Sequence, residues 1–200
     1  MSLQVINQDE QKISVKLQGI PLQYANALRR ICLNGVPIFA IDTVDILENS
    51  SIIADEGIAH RLGLIPLKTE FSAIESKNES DKILLTLDSG GTEETRTVFS
   101  DELKSNDSFV KPISDKIPIV TLAPDQKIRI EAHAKLGRGT EHAKWNSSNI
   151  ATLTDTNKDD ERILTVESTG ALEPKHIILA GINELSSRLD SFKEIISDLK

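Results

Sequence analysis

Residues 174–200 read PKHIILAGINELSSRLDSFKEIISDLK, and their spacing decides the architecture. Ile178, Ile182, Leu185, Leu189, Phe192, Ile196 and Leu199 recur at intervals of 4, 3, 4, 3, 4 and 3, which lines them along one face of a helix. Pro174 suits the first turn, where its missing N–H leaves no bond unmade. The pattern predicts a helix of about 25 residues with an apolar stripe about 32 Å long at 1.5 Å per residue. Burying each large side chain of the stripe is worth about 1.5–3 kcal/mol. Part of it fits across the chain's own sheet. The distal part, from about Leu185 onward, is expected to pack against another chain, because strict heptad spacing favours a partner helix over a flat sheet.

Working outward, Leu22, Ala25, Leu28, Ile31 and Cys32 fall at helical intervals between Pro21 and the Gly35 and Pro37 breakers, predicting a helix over 21–34 beside the terminal one. Before it, Leu3-Gln4-Val5 and Ile13-Ser14-Val15-Lys16-Leu17 alternate around the turn-like Asn7-Gln8-Asp9-Glu10, the signature of an antiparallel hairpin. After it, residues 38–47 form a strand rich in β-branched side chains, and a short helix follows over Asp55–Leu62. Ile128, Ile130, Ala132, Ala134 and Leu136 alternate without error and predict an amphipathic strand over Lys127–Leu136. The stretch Asn146–Glu161 shows no apolar pattern and is expected to be a polar loop, before Arg162–Glu167 returns to strand character.

Composition narrows the function classes. The 200 residues hold 23 basic and 31 acidic side chains, a formal charge of −8. Residues 70–116 contain eleven acidic and six basic groups, so most of that charge is local. An acidic chain lacks the basic footprint of duplex binding, and five Phe, one Trp and one Tyr leave little material for base stacking. The single cysteine, Cys32, excludes an internal disulfide, a Cys-based zinc site and an iron–sulfur cluster held by this chain. No apolar run approaches the roughly 18 residues of a membrane span. The polar N-terminus predicts no signal peptide, so a cytoplasmic location is expected.

Enzyme signatures fail one by one. Asp42 and Asp45 are the nearest approach to a two-metal carboxylate cluster, but alternation along a strand points such side chains apart. Asp155-Thr156-Asn157-Lys158-Asp159 opens like a calcium loop, then places Asp160 where Gly is required and Val166 where the bidentate Glu belongs. Gly137-Arg138-Gly139 lacks the third glycine of a dinucleotide fingerprint. His60, His133, His142 and His176 show no metal spacing, and no nucleophile-elbow motif is present. Two motifs still need an account. Asp55-Glu56-Gly57-Ile58-Ala59-His60-Arg61-Leu62-Gly63-Leu64-Ile65-Pro66-Leu67 reads either as a helix packed on a β layer or as a surface bearing His60 and Arg61. Arg138 to Trp145 reads either as an exposed interface loop with Arg138, His142, Lys144 and Trp145, or as a loop whose Trp folds back on its own core.

At these residues the chain resembles the D-type subunits of archaeal RNA polymerase, a family homologous to the third-largest subunit of eukaryotic polymerase II and to the amino-terminal part of the bacterial α subunit. The matching pieces are Asn26-Ala27-Leu28-Arg29-Arg30, Ala40-Ile41-Asp42-Thr43-Val44, Ala54 to Leu67, Leu136-Gly137-Arg138-Gly139 with His142-Ala143-Lys144-Trp145, and Val166-Glu167-Ser168-Thr169-Gly170. The resemblance implies an α+β fold in two parts. A discontinuous dimerisation domain (1–45 and 162–200), an antiparallel sheet with helices, would carry an inserted mainly β domain (46–161, with the polar loop 146–161). It implies a non-catalytic assembly subunit that pairs with subunit L through Leu28, Ile31, Ile178, Ile182, Leu185, Leu189, Phe192 and Ile196. It also implies recruitment of small subunits N and P and of the second-largest subunit, with Arg29, Arg30, His60, Arg61, Arg138, His142, Lys144 and Trp145 on the surfaces that face other subunits. No direct nucleic-acid contact is expected.

The chain departs from many members of that family in one place. Where they carry a cysteine-rich, ferredoxin-like module, it has Asn146–Glu161 without a cysteine, so no iron–sulfur cluster and no other cofactor is expected. The competing reading is a free-standing homodimeric binding module that uses the same stripe on itself. A small hydrolase or nucleic-acid-binding domain has only Gly137-Arg138-Gly139, Lys144 and Trp145 in its favour, against a charge of −8.

Overall fold

The computed structural model describes residues 2–76, 81–91, 93–158 and 160–198. Its strands are β1 (Ser2–Gln8), β2 (Lys12–Gln18), β3 (Ile38–Asn49), β4 (Ile83–Asp88), β5 (Arg96–Phe99), β6 (Lys104–Ser105), β7 (Pro118–Leu122), β8 (Ile128–Gly137), β9 (Ser148–Asp155) and β10 (Glu161–Ser168). The helices are α1 (Leu22–Asn34), α2 (Asp55–Gly63), α3 (Phe71–Ser76) and α4 (Pro174–Asp198). The chain divides into two compact units, Met1–Pro37 with Arg138–Lys200, and Ile38–Gly137. These limits differ from the 45/46 and 161/162 expected above. The difference arises because β3 belongs wholly to the second unit, as the ladder partner of β8, and β9 to the first, as the ladder partner of β10.

In the first unit the sheet order is β1-β2-β10-β9. The expected N-terminal hairpin is present, and its turn is closed by Asp9, whose carboxylate accepts from the N–H groups of Gln11 and Lys12. This is the local bonding that makes Asp a turn residue. Ile13, Val15 and Leu17 of β2 and Leu164 and Val166 of β10 are buried on the face that α1 and α4 cover. The opposite face is mostly polar, with Ser14 bonded to Thr165 and Lys16 beside Glu161, though Ile163 and the exposed Ile150 also lie on it.

The polar loop expected over 146–161 is not a loop: residues 148–155 form β9, paired antiparallel with β10. Its buried residues are the small Ser148 and Ala151, and the inward-facing alternation is only Ala151 and Leu153, opposite Val166 and Leu164, too short to stand out among polar neighbours. Asp159 of the calcium-like stretch lies outside the described residues. The rest of that stretch leads into β10, with the Thr156 N–H and hydroxyl both on the Glu161 carbonyl and Asp155 on Arg162 at 2.9 Å.

The second unit packs α2 against a β3-β8-β4-β6 sheet, with a separate β5-β7 pair. β8 behaves as its alternation predicts: Ile128, Ile130, Ala132 and Ala134 are buried. They join Phe39, Ile41, Ile58, Leu62, Leu85 and Leu122 in one apolar cluster. Acidic Asp55 and Glu56 open α2, and His60 and Arg61 close it, the order that favours a helix dipole.

Candidate functional site

α4 is as long as its heptads require, but its stripe meets two environments. Ile177, Ile178, Ala180 and Gly181 are buried against the sheet and α1. Gly181 sits where a β-carbon would come within 3.1 Å of Cys32 Sγ, so its bare Cα allows the two helices to approach. Beyond that point the same face is bare: Leu189, Phe192 and Ile196 are 52%, 60% and 50% exposed, and Ile195 beside them 62%. Ile182 is also exposed and Leu185 half-buried, while Leu199 lies outside the described residues.

Three residues expected on the partner face are already used within the chain. Leu28, Ile31 and Ile178 are buried in the α1–α4 contact, because two helices on a four-stranded sheet bury their facing stripes on each other first. Cys32 is fully buried in that contact. Burial pushes its thiol up to about 12, against a smaller lowering by a backbone hydrogen bond, so it is a packing residue without thiolate character.

The loop after β8 closes the C-terminal end of α1. The Thr140 N–H donates to the Asn34 carbonyl. The hydroxyls of Ser147 and Ser148, both buried, donate to the Cys32 carbonyl. These bonds satisfy carbonyls that a helix end leaves without partners. Gly139 is packed so tightly that a β-carbon would collide with the Asn146 side-chain oxygen and lie 2.8 Å from Asn34 Cβ. The bare Cα at 139 therefore serves a close approach of backbone, not a phosphate cradle.

Trp145, expected on an exposed interface loop, is only 4% exposed. A large aromatic gains more from its own core than from solvent, and Lys144 lies over its ring at 4.2 Å. His142, exposed, uses Nδ1 to accept the Lys144 N–H. Arg138 reaches Glu184 of α4 at 3.3 Å, and Arg188 reaches the same carboxylate at 2.8 Å. Burial works against ionisation of Glu184, but the hydrogen bonds from Arg188 and Arg138 outweigh it and hold the carboxyl below its ordinary range.

The remaining basic candidates divide. Arg29 is half-buried, bonded to Asn26 Oδ1 and the Ala151 carbonyl, and so ties α1 to β9. Arg30, one residue on, is exposed. On α2, His60 and Arg61 are exposed, with one Arg61 nitrogen bonded to the Ile119 carbonyl at 2.9 Å.

The two carboxylates nearest to a metal-binding pair are each held by a neighbouring base. Asp42 pairs with Lys135 at 3.2 Å and Asp45 with His133 at 3.1 Å, and among the described residues no His, Cys, Asp and Glu group could hold a metal ion. One exposed surface escapes the sequence, that of β1. Leu3 and Val5 stand opposite Leu17 and Val15 in the ladder, hence on the helix-bearing face, yet are 47% and 49% exposed. The helix layer stops at β2. The alternation of β1 is legible, but not that nothing covers it.

The family model described as RNA polymerase Rpb3/RpoA insert domain matches residues 39–169. DNA-directed RNA polymerase subunit Rpo3 of Pyrococcus horikoshii is 45% identical over 146 residues, which cover 72% of this chain and 56% of that protein. The protein of the same name from Methanocaldococcus jannaschii is 40% identical over 172 residues, 86% of this chain and 84% of the relative. That from Aeropyrum pernix is 32% identical over 166 residues, 76% of this chain and 58% of the relative. The chain belongs to this family, in its archaeal Rpo3 branch. It spans a little over half the length of the Pyrococcus relatives and most of the Methanocaldococcus one. No helix of the described residues is long and apolar enough to cross a membrane.

Proposed function

We propose that the chain is a non-catalytic assembly subunit of a DNA-directed RNA polymerase, working in the cytoplasm. It pairs with a small subunit of the L type through the distal half of α4. The pair then receives small subunits of the N and P type and the second-largest subunit, and the nucleotidyl-transfer site lies on other chains. The observation that supports this best is the bare continuation of the α4 stripe. Leu189, Phe192 and Ile196 repeat the spacing of the buried half, so a partner helix of the same period completes the packing that the chain's own sheet leaves unfinished. Of the basic candidates, Arg30, His60, Arg61 and His142 are exposed and are offered to larger partners. With a single, buried cysteine the chain is expected to hold no iron–sulfur cluster, and its acidic charge assigns it no nucleic acid of its own.

Affinity purification of the tagged chain from its native extract tests the reading. Co-purification of the polymerase subunits, including one of the L type, is expected. Recovery of the chain as a lone homodimer favours the free-standing module and overturns the proposal.

A further inference from the structure

Ile52, in the turn between β3 and α2, is 91% exposed, more than any other large apolar side chain among the described residues. The backbone that presents it is held on both sides. Ser50 N–H donates to the Lys127 carbonyl at 3.0 Å, and Ser50 Oγ accepts from the Lys127 N–H at 2.7 Å. Asn49 Nδ2 donates to the Ile53 carbonyl at 2.9 Å and to Asp55 Oδ1 at 2.7 Å. Asn49 Oδ1 accepts from the N–H and hydroxyl of Ser51, whose oxygen accepts in turn from the Ile53 N–H. Ile53 turns inward and packs on the apolar cluster of the second unit. One isoleucine of the pair is therefore used by the fold, and the other is displayed by a turn that has little freedom left to lose.

A β-branched side chain adds few rotamers to that stiffness, so little ordering would oppose its burial by a partner. Its surroundings indicate what such a partner looks like. Glu48, Asp55 and Glu56 lie within four residues of Ile52, and Lys127, the cation whose backbone the turn holds, is paired with Glu48 at 3.1 Å. Leu47, the extra residue at a β3 bulge, is also exposed. An apolar knob in an acidic setting fits neither a phosphate backbone nor a small polar ligand. It fits a protein surface with an apolar socket and a basic rim.

We propose that Ile52 is a preorganised anchor seated in a lysine- or arginine-rimmed apolar socket on a neighbouring subunit of the polymerase. The inference rests on reading the chain as a polymerase subunit. Polymerase is reconstituted from its subunits with equal amounts of wild-type chain and the Ile52→Asp variant, and the chains incorporated are counted by mass spectrometry. The expected result is preference for wild type by roughly ten- to a hundredfold, the scale of one buried isoleucine. Ile52→Thr, which keeps the β-branch and replaces its longer arm by a hydroxyl, is expected in between. Both variants should pair with the L-type subunit as wild type does, since α4 lies in the other unit. Equal incorporation of both variants overturns the anchor while leaving the subunit reading intact. Failure of the wild-type chain to enter any assembly overturns that reading and the anchor with it.

Discussion

A β-carbon at position 139 has nowhere to go, because Asn34, from the end of α1, fills the space it would need. Gly139→Ala is therefore expected to cost about 1–3 kcal/mol, the usual scale of overpacking, read as a lower urea midpoint. The sequence shows a glycine in a Gly-Arg-Gly triplet but not its reason, since Asn34 is more than a hundred residues away. Glu184 adds a pH-dependent contribution. Its carboxyl is held below its ordinary range by Arg188 and Arg138 against the opposing effect of burial. Its stabilisation is thus full above the unfolded carboxylate pKa and fades as pH falls through the folded one. Glu184→Gln should cost about 1 kcal/mol at pH 7. The difference from wild type should shrink below about pH 4, as thermal melts across that range would show.

At the scale of elements, α4 is the most legible part of the sequence and β9 the least, for related reasons. α4 announces itself because seven large apolar residues keep one period and need no neighbour to define them. β9 needs its neighbours: Ser148, Ala151 and the threonines after them form a strand only because β10 supplies the ladder and α1 the cover. Periodicity likewise locates the stripe of α4 but does not apportion it. How many turns the chain's own sheet uses depends on where the helix crosses it, and the crossing ends near Gly181. Aspartates at Leu189 and Phe192 together should abolish pairing with an L-type subunit. The change in the chain's own melting temperature should stay small, because both side chains are already exposed. Size-exclusion chromatography and a thermal melt of the same variant separate the two effects.

For the whole molecule, the two-part division is legible in outline and misplaced in detail, since the ladders β3–β8 and β9–β10 set limits that no single segment encodes. The candidate surface is also legible in part. The distal α4 residues and Arg30 lie where a partner can reach them, whereas Trp145, Leu28, Ile31 and Ile178 are absorbed by the first unit's core. What distinguishes the two groups is burial, a property of the assembled fold. On the proposed reading, the bare half of α4 is covered by a different, smaller polymerase subunit. Light scattering of the chain with and without a purified L-type subunit measures this directly. The predicted result is a complex with the mass of one copy of each. A stable homodimer that ignores the added subunit, or a monomer that does so, would contradict it.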